Sequence, residues 1–123
     1  MTNLELSDRL VDFAVKVGGL VEKLPRSLLG KQIAGQLVRS GTSPAPNYEE
    51  ACASESRKDW IHKLSICLKE LRESRSWLQM ILRSRLVPDF DVDGLADECD
   101  QLCRIIGASI VTTKRKQPPV LND

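Results

Sequence analysis

The sequence has few of the residues on which most enzymes and metal sites depend. It contains one histidine, His62, and its four cysteines form no Cys-x-x-Cys pair, so neither a histidine base nor a cysteine-rich zinc site is indicated. It also lacks a glycine-rich loop ending in Gly-Lys-Ser/Thr and the paired Glu-x-x-His motifs of di-iron bundles. We therefore predict a protein that is not an enzyme, with no catalytic residue, no cofactor and no bound metal.

Aromatic residues and long apolar runs are equally scarce. Aromatic residues make up 4% of the 123 residues, against 41% hydrophobic and 28% charged residues, so the core of this globular chain must be aliphatic. No apolar run approaches the ~20 residues of a membrane span, and the N-terminus lacks a basic stretch followed by an apolar one. These features predict a cytoplasmic domain that does not associate with membranes.

Four segments carry apolar residues at the three- and four-residue spacing of amphipathic helices, and no segment shows the alternation of a strand. The expected limits are Ser7 or Asp8 to Pro25, Arg26 or Ser27 onward, Glu55 or Ser56 to Pro88, and an acidic N-cap before Leu95 to Lys116. Short links between four such helices predict an all-α, antiparallel up-down four-helix bundle over residues 1–116. We expect residues 117–123 to form a flexible tail.

Two local features of these helices need explanation. Gly18 and Gly19 lie inside the first helix, where they cost stability, and the usual reason to keep them is the close approach of a neighbouring helix. Pro44 and Pro46 remove two backbone donors from the second helical segment. This segment is therefore either two helices joined by a loop or one helix with a kink.

Charge is segregated along the chain although the net charge is only +1. Residues 56–86 carry eight basic and three acidic side chains, whereas residues 87–113 carry one basic and six acidic side chains. The third and fourth helices either neutralise one another, within a subunit or between copies, or leave a basic stripe on the third helix that can follow phosphates. That stripe consists of Arg72, Arg75, Gln79 and Arg83.

A second stripe on the third helix mixes charged residues with apolar ones. It consists of Asp59, Lys63, Ile66, Glu70, Glu73 and Trp77. The stripe is either a solvated face or a contact with another subunit. Lys63 with Glu70, and Lys69 with Glu73, are expected to pair along the helix.

The middle of the chain carries a dense set of motifs. Between Gln36 and Leu82 these are Arg39-Ser40, Ser43, Asn47, Glu50-Ala51, Glu55-Ser56, Asp59, Ile61, Lys63-Leu64, Ile66, Lys69-Glu70, Glu73 and Trp77-Leu78. With these residues in register, the chain resembles the four-helix bundle family named after proteins encoded in intervening sequences of 23S rRNA genes. The resemblance extends over about residues 8–116, and Pro44 and Pro46 replace the family's usual Ile and Ala.

The resemblance implies a left-handed bundle, with the second helix kinked near Pro44–Pro46, that assembles into a ring of five. It also implies relatedness to the basic, ring-forming accessory proteins of diversity-generating retroelements, which work with nucleic acid. We expect a homo-oligomer, most simply a pentamer, that serves as a binding scaffold. Its interface or polar network would consist of Arg39, Asn47, Glu50, Lys63, Glu70, Glu73 and Trp77.

The alternative function is that of an accessory protein that binds RNA or DNA. The contacts would come from basic residues of the third helix and the C-terminus, namely Arg72, Arg75, Arg83, Lys114, Arg115 and Lys116. In that case the third helix would carry the phosphate contacts itself instead of being neutralised by the fourth.

Overall fold

The chain folds into helices joined by short turns. The computed structural model describes residues 1–116. These contain α1 (Asn3–Val21), α2 (Leu28–Thr42), α3 (Pro44–Cys52), α4 (Arg57–Ser84), a short 3-10 helix (Asp89–Asp91) and α5 (Asp93–Arg115), with no strand among them. The fold class predicted from the apolar periodicity is therefore confirmed. The expected tail, residues 117–123, lies outside the described residues.

The helix starts agree with the sequence expectations for α2 and α4 and differ from them for α1 and α5. Ser27 and Ser56 cap α2 and α4 as expected, each accepting a hydrogen bond from a backbone N–H of the first turn. The prediction for α1 was wrong, because a capping box between Thr2 and Glu5 starts this helix earlier, and Ser7 and Asp8 lie inside it. The acidic N-cap expected for α5 is also absent, since Val92 occupies that position without a side-chain hydrogen bond.

The second bundle helix is kinked at the prolines and remains helical. Ser43, between α2 and α3, has helical dihedral angles (φ −71°, ψ −37°). Its N–H donates to the Arg39 carbonyl oxygen at 3.2 Å, and its own carbonyl oxygen accepts from the Asn47 N–H at 3.3 Å. Pro44 lies in the first turn of α3, where a proline needs no backbone donor. Of the two interpretations left open by the sequence, the kinked helix is correct.

The helices pack around one aliphatic core in a cyclic order. α1 lies beside α2, α3 and α5, and α4 lies beside α2, α3 and α5, so α1 and α4 occupy diagonal positions. Fully buried side chains come from all four bundle helices and include Leu10, Phe13, Ile33, Leu37, Tyr48, Leu64, Leu71, Leu78, Leu102 and Ile106. The 28-residue α4 is covered along its length because both α2 and α3 pack against it.

Close helix contact occurs at a glycine other than the expected pair. A Cβ atom added at Gly18 or Gly19 meets no heavy atom of residues 1–116 within 4 Å, so no neighbouring helix in this part of the chain requires them. A Cβ atom at Gly41 would instead lie 2.8 Å from both methyl groups of the buried Val17. The close approach of α1 and α2 therefore depends on Gly41.

Alanine substitution at two glycines of α2 tests this contact. Gly41→Ala forces the stiff Val17 side chain to move, and overpacking of this kind costs about 1–3 kcal/mol. Gly35→Ala is the control, because its Cβ meets open space and should stabilise the helix by up to ~1 kcal/mol. In urea unfolding, G41A is expected to be clearly less stable than G35A, and equal stabilities would contradict the assigned contact.

Candidate functional site

Four of the predicted network residues form one cluster between α2 and α4. The Arg39 guanidinium donates to Glu70 Oε2 at 2.9 Å and to Glu73 Oε2, and the Trp77 indole Nε1 donates to the same Glu73 oxygen at 3.1 Å. The Arg39 side chain is 49% exposed, whereas that of Glu70 is 13% exposed. We call Arg39, Glu70, Glu73 and Trp77 the network face. It presents a fixed guanidinium and a half-buried indole to solvent.

The remaining predicted network residues lie nearer the kink. Lys63 Nζ donates to Glu50 Oε2 at 2.9 Å, which joins α4 to α3. The Asn47 side-chain amide donates to the carbonyl oxygen and to the hydroxyl of Ser43, both at 3.0 Å, where the proline-containing turn begins. The Lys63–Glu50 pair therefore links the kinked helix to α4, whereas the Asn47 contacts stay within the kinked helix. None of these contacts joins the network face.

The pairing expected along α4 was wrong. Glu70 and Glu73 both pair with Arg39 of α2, and Lys63 pairs with Glu50 of α3, so the ion pairs of this face link different helices. Charged side chains on this side of α4 point towards the groove that α2 and α3 share with it. For these side chains, an oppositely charged residue across the groove is therefore the ion-pair partner in place of one on the same helix.

A buried hydroxyl pair lies close to the network face. Ser40 and Ser74 are both 0% exposed, and their Oγ atoms lie 2.9 Å apart. Ser74 Oγ also donates to the Glu70 carbonyl oxygen at 3.0 Å. The pair thus joins α2 to α4 at the level of the ion pairs, and it fixes the separation of the two helices that carry them.

The acidic residues of α5 are shared between its two neighbours. Glu98 accepts from Arg9 Nε of α1 at 3.0 Å, whereas Asp100 lies 3.9 Å from Arg75 of α4. Neutralisation of α4 by α5 within the subunit is therefore limited to one long pair among the described residues. Most of the positive charge of α4 remains on its outer side.

The predicted nucleic-acid contacts fall into two separate groups. Arg72 and Arg83 are exposed on the C-terminal half of α4, and Arg75 lies beside them. Lys114–Lys116 end α5 beside the start of α4, where Arg57 donates to the Lys116 carbonyl oxygen at 3.1 Å. Fifteen helical residues from Arg57 to Arg72 span about 22 Å. The structure therefore does not bring the two basic groups together.

Two thiols on α5 perturb each other. The hydrogen bond with Cys99 and the nearby charge of Arg75 together lower the pKa of Cys103 to about 7, against the opposing effect of burial. The same hydrogen bond, together with burial, raises the pKa of Cys99. Within residues 1–116, no three His, Cys, Asp or Glu side chains converge as metal ligands. Both thiols are buried, as is Cys67.

Comparison with known proteins identifies the family. The model of the 23S rRNA-intervening sequence protein family matches residues 2–108. The chain belongs to this family. It is also similar to a solved protein of unknown function from the S23 ribosomal protein family of Bacteroides thetaiotaomicron VPI-5482, with 28% identity and a TM-score of 0.78 over 90% of this chain and 99% of that one. Among proteins with curated descriptions, none matches significantly.

Family membership explains the fold, whereas the polar contacts are known only from the distances in the structure. The sequence identified Arg39, Glu70, Glu73 and Trp77 but not their partners, and it missed Ser7, which hydrogen-bonds to Glu49 of α3. Ser40 and Ser74 could have been recognised, because both are hydroxyl residues at positions of the apolar stripes. None of the helices within residues 1–116 has the length and apolar character needed to cross a bilayer.

The buried hydroxyl pair gives an asymmetric stability prediction. Ser74→Ala removes the one hydrogen-bond partner that Ser40 Oγ has among residues 1–116, and an unsatisfied buried hydroxyl costs about 1–3 kcal/mol. Ser40→Ala should cost less, because Ser74 keeps the Glu70 carbonyl oxygen. Urea unfolding of both variants and of the double variant S40A/S74A tests this order. The double variant is expected to be more stable than S74A, and equal losses for the two single variants would refute the assignment.

Proposed function

We propose that this chain is a non-enzymatic cytoplasmic scaffold that assembles with copies of itself into a ring, of five copies as the resemblance implies. The network face carries the proposal. Arginine and tryptophan are the side chains that most often dominate binding energy at protein interfaces, and here Glu73 holds both in one arrangement before any partner binds. Preorganised side chains lose little conformational entropy on association.

The chemistry of the charged side chains also supports a binding role. The carboxylates at the network face accept from a guanidinium and an indole, and Glu50 accepts from a lysine, so each is engaged in an ion pair. These pairs join helices that the core already holds rigid. A rigid surface with fixed polar groups suits recognition of a second protein surface.

Sedimentation of the full chain at low and at high salt tests self-assembly. The wild type is expected to sediment as one oligomer, and Trp77→Ala should shift it towards monomer because the indole supplies apolar contact area. Phe90→Ala is a matched control, since it also removes an aromatic ring, one that is 81% exposed on the 3-10 helix and lies outside the network face. A wild-type monomer under both salt conditions would end the proposal, and an unchanged W77A oligomer would remove the network face from it.

Nucleic-acid binding is the second candidate function, and the exposed Arg72 and Arg83 favour it. Neither forms an ion pair within residues 1–116, so both are available to phosphates. Arg75, one turn from Arg72, has only a 3.9 Å contact with Asp100. Lys114, Arg115 and Lys116 would supply a second, separate set of phosphate contacts.

Retention of structured rRNA fragments tests this second function. Binding at ~50 mM salt that weakens steeply by ~200 mM would indicate phosphate contacts. Arg72→Ala with Arg83→Ala should then lower affinity and reduce the salt slope by about 2, whereas Lys31→Ala on α2 serves as a control. No binding at ~50 mM salt would rule the function out.

A further inference from the structure

We propose that the outer face of α1 docks onto the outer face of α4 of a second copy of this chain. The inference rests on the self-assembly proposed above and names the two surfaces that meet. It follows from apolar exposure on one helix, charge on both helices, and the diagonal placement of the two helices in the bundle.

The outer face of α1 combines exposed apolar residues with unpaired acids. Leu4, Asp8, Val11, Asp12 and Val15 are spaced so that they share the side of the helix opposite the buried stripe. Leu4 is 73% exposed and Val15 is 69% exposed. Within residues 1–116, neither Asp8 nor Asp12 has a basic group within ion-pairing distance. This surface is therefore apolar along its centre and negative beside it.

The outer face of α4 has the opposite charge. Lys69, Arg72, Met80 and Arg83 share its solvent side, and Met80 is 45% exposed. A shallow groove runs beside Met80 and is lined by Arg75, Ser76, Gln79, Met80 and Arg83. None of Lys69, Arg72 and Arg83 has an acidic partner within the described part of the chain. An apolar side chain inserted here would be surrounded by positive charge.

These two faces cannot meet within one subunit. α1 and α4 lie diagonally across the core, and each outer face is directed away from it. The ion pairs formed within residues 1–116 use other charges, such as Arg9 with Glu98 and Lys23 with Asp91. The opposite charges of the two faces can therefore neutralise each other only between two copies.

With the two helices parallel, the contact would place Val15 of one copy against Met80 of the next. Asp8, seven residues before Val15, would then lie level with Arg72, eight residues before Met80, while Asp12 would lie near Arg75 and Leu4 near Lys69. Opposite charges around an apolar centre fix the register and oppose other alignments. Because the two faces differ, the contact is head-to-tail, and such contacts close into a ring when the rotation between successive copies permits. The half-buried Trp77 lies on the α2 side of the basic face, so the same partner can extend onto the network face.

Charge reversal with rescue tests the proposal on the full chain. Asp8→Lys with Asp12→Lys, and separately Lys69→Glu with Arg72→Glu, should each weaken self-association by about tenfold or more in low-salt sedimentation, because like charges would then face each other. Combining all four substitutions should restore assembly to within about threefold of the wild type. Glu55→Lys with Asp97→Lys makes the same charge change at exposed positions outside both faces and should have little effect.

Each outcome of this experiment decides a different claim. An oligomeric wild type whose assembly survives D8K/D12K would overturn the docking surfaces and leave self-assembly intact, whereas a monomeric wild type would overturn both. Failure of the fourfold variant to assemble, with loss of rRNA binding in K69E/R72E, would assign the basic face to nucleic acid instead. Circular dichroism checks folding, and D8N/D12N, which removes charge without reversing it, should give an intermediate weakening.

Discussion

The apolar stripe of α4 is the constraint on which the rest of the fold depends. At 1.5 Å per residue, its 28 residues extend about 42 Å, and so long a helix must be covered by packing over most of its length. α2 and α3 are 15 and 9 residues long, so neither can cover it alone. Continuity of the helical backbone through Ser43 makes them into one second helix. The prolines are tolerated because they lie in the first turn of α3, where the helix kinks while both of its halves stay packed against α4.

Periodicity and capping together predict most of this architecture. Apolar spacing fixed which residues of each helix face the core, and Ser27 and Ser56 were recognisable caps because serine side chains accept from the first helical turn. The capping box between Thr2 and Glu5 carries the same signal, but it precedes the apolar stripe of α1, which begins only at Leu6. The start of a helix depends on capping residues that precede its first apolar residue. The apolar stripe alone therefore predicts the wrong start for α1.

The polar contacts were not predictable in the same way, because they depend on the rotation of one helix relative to another. Arg39 and Glu73 lie on different helices, and only the packed bundle brings their charges together. Spacing along α4 suggested Lys63 with Glu70, yet a pair one or two turns apart is worth only a few tenths of a kcal/mol. Partners across a groove held by a rigid core can replace it at little cost. The Ser40–Ser74 pair shows that such grooves also bury hydroxyl groups.

The charged side chains fall into two groups, those that form ion pairs within the subunit and those that do not, and the two groups lie on different parts of the surface. Charged side chains that border the grooves between neighbouring helices form ion pairs within the chain. Glu98 of α5 pairs with Arg9 of α1, and Glu50 of α3 pairs with Lys63 of α4. On the two outer faces, the charges without partners within residues 1–116 include Asp8 and Asp12 on α1 and Lys69, Arg72 and Arg83 on α4. Lys16 of α1 and Asp59 of α4, which have the opposite signs, lie on the flanks of these helices. The net charge is only +1, although the outer face of α1 is negative and the outer face of α4 is positive. This distribution suits self-association in which the α1 face of one copy meets the α4 face of the next, because each contact then joins a negative face to a positive one.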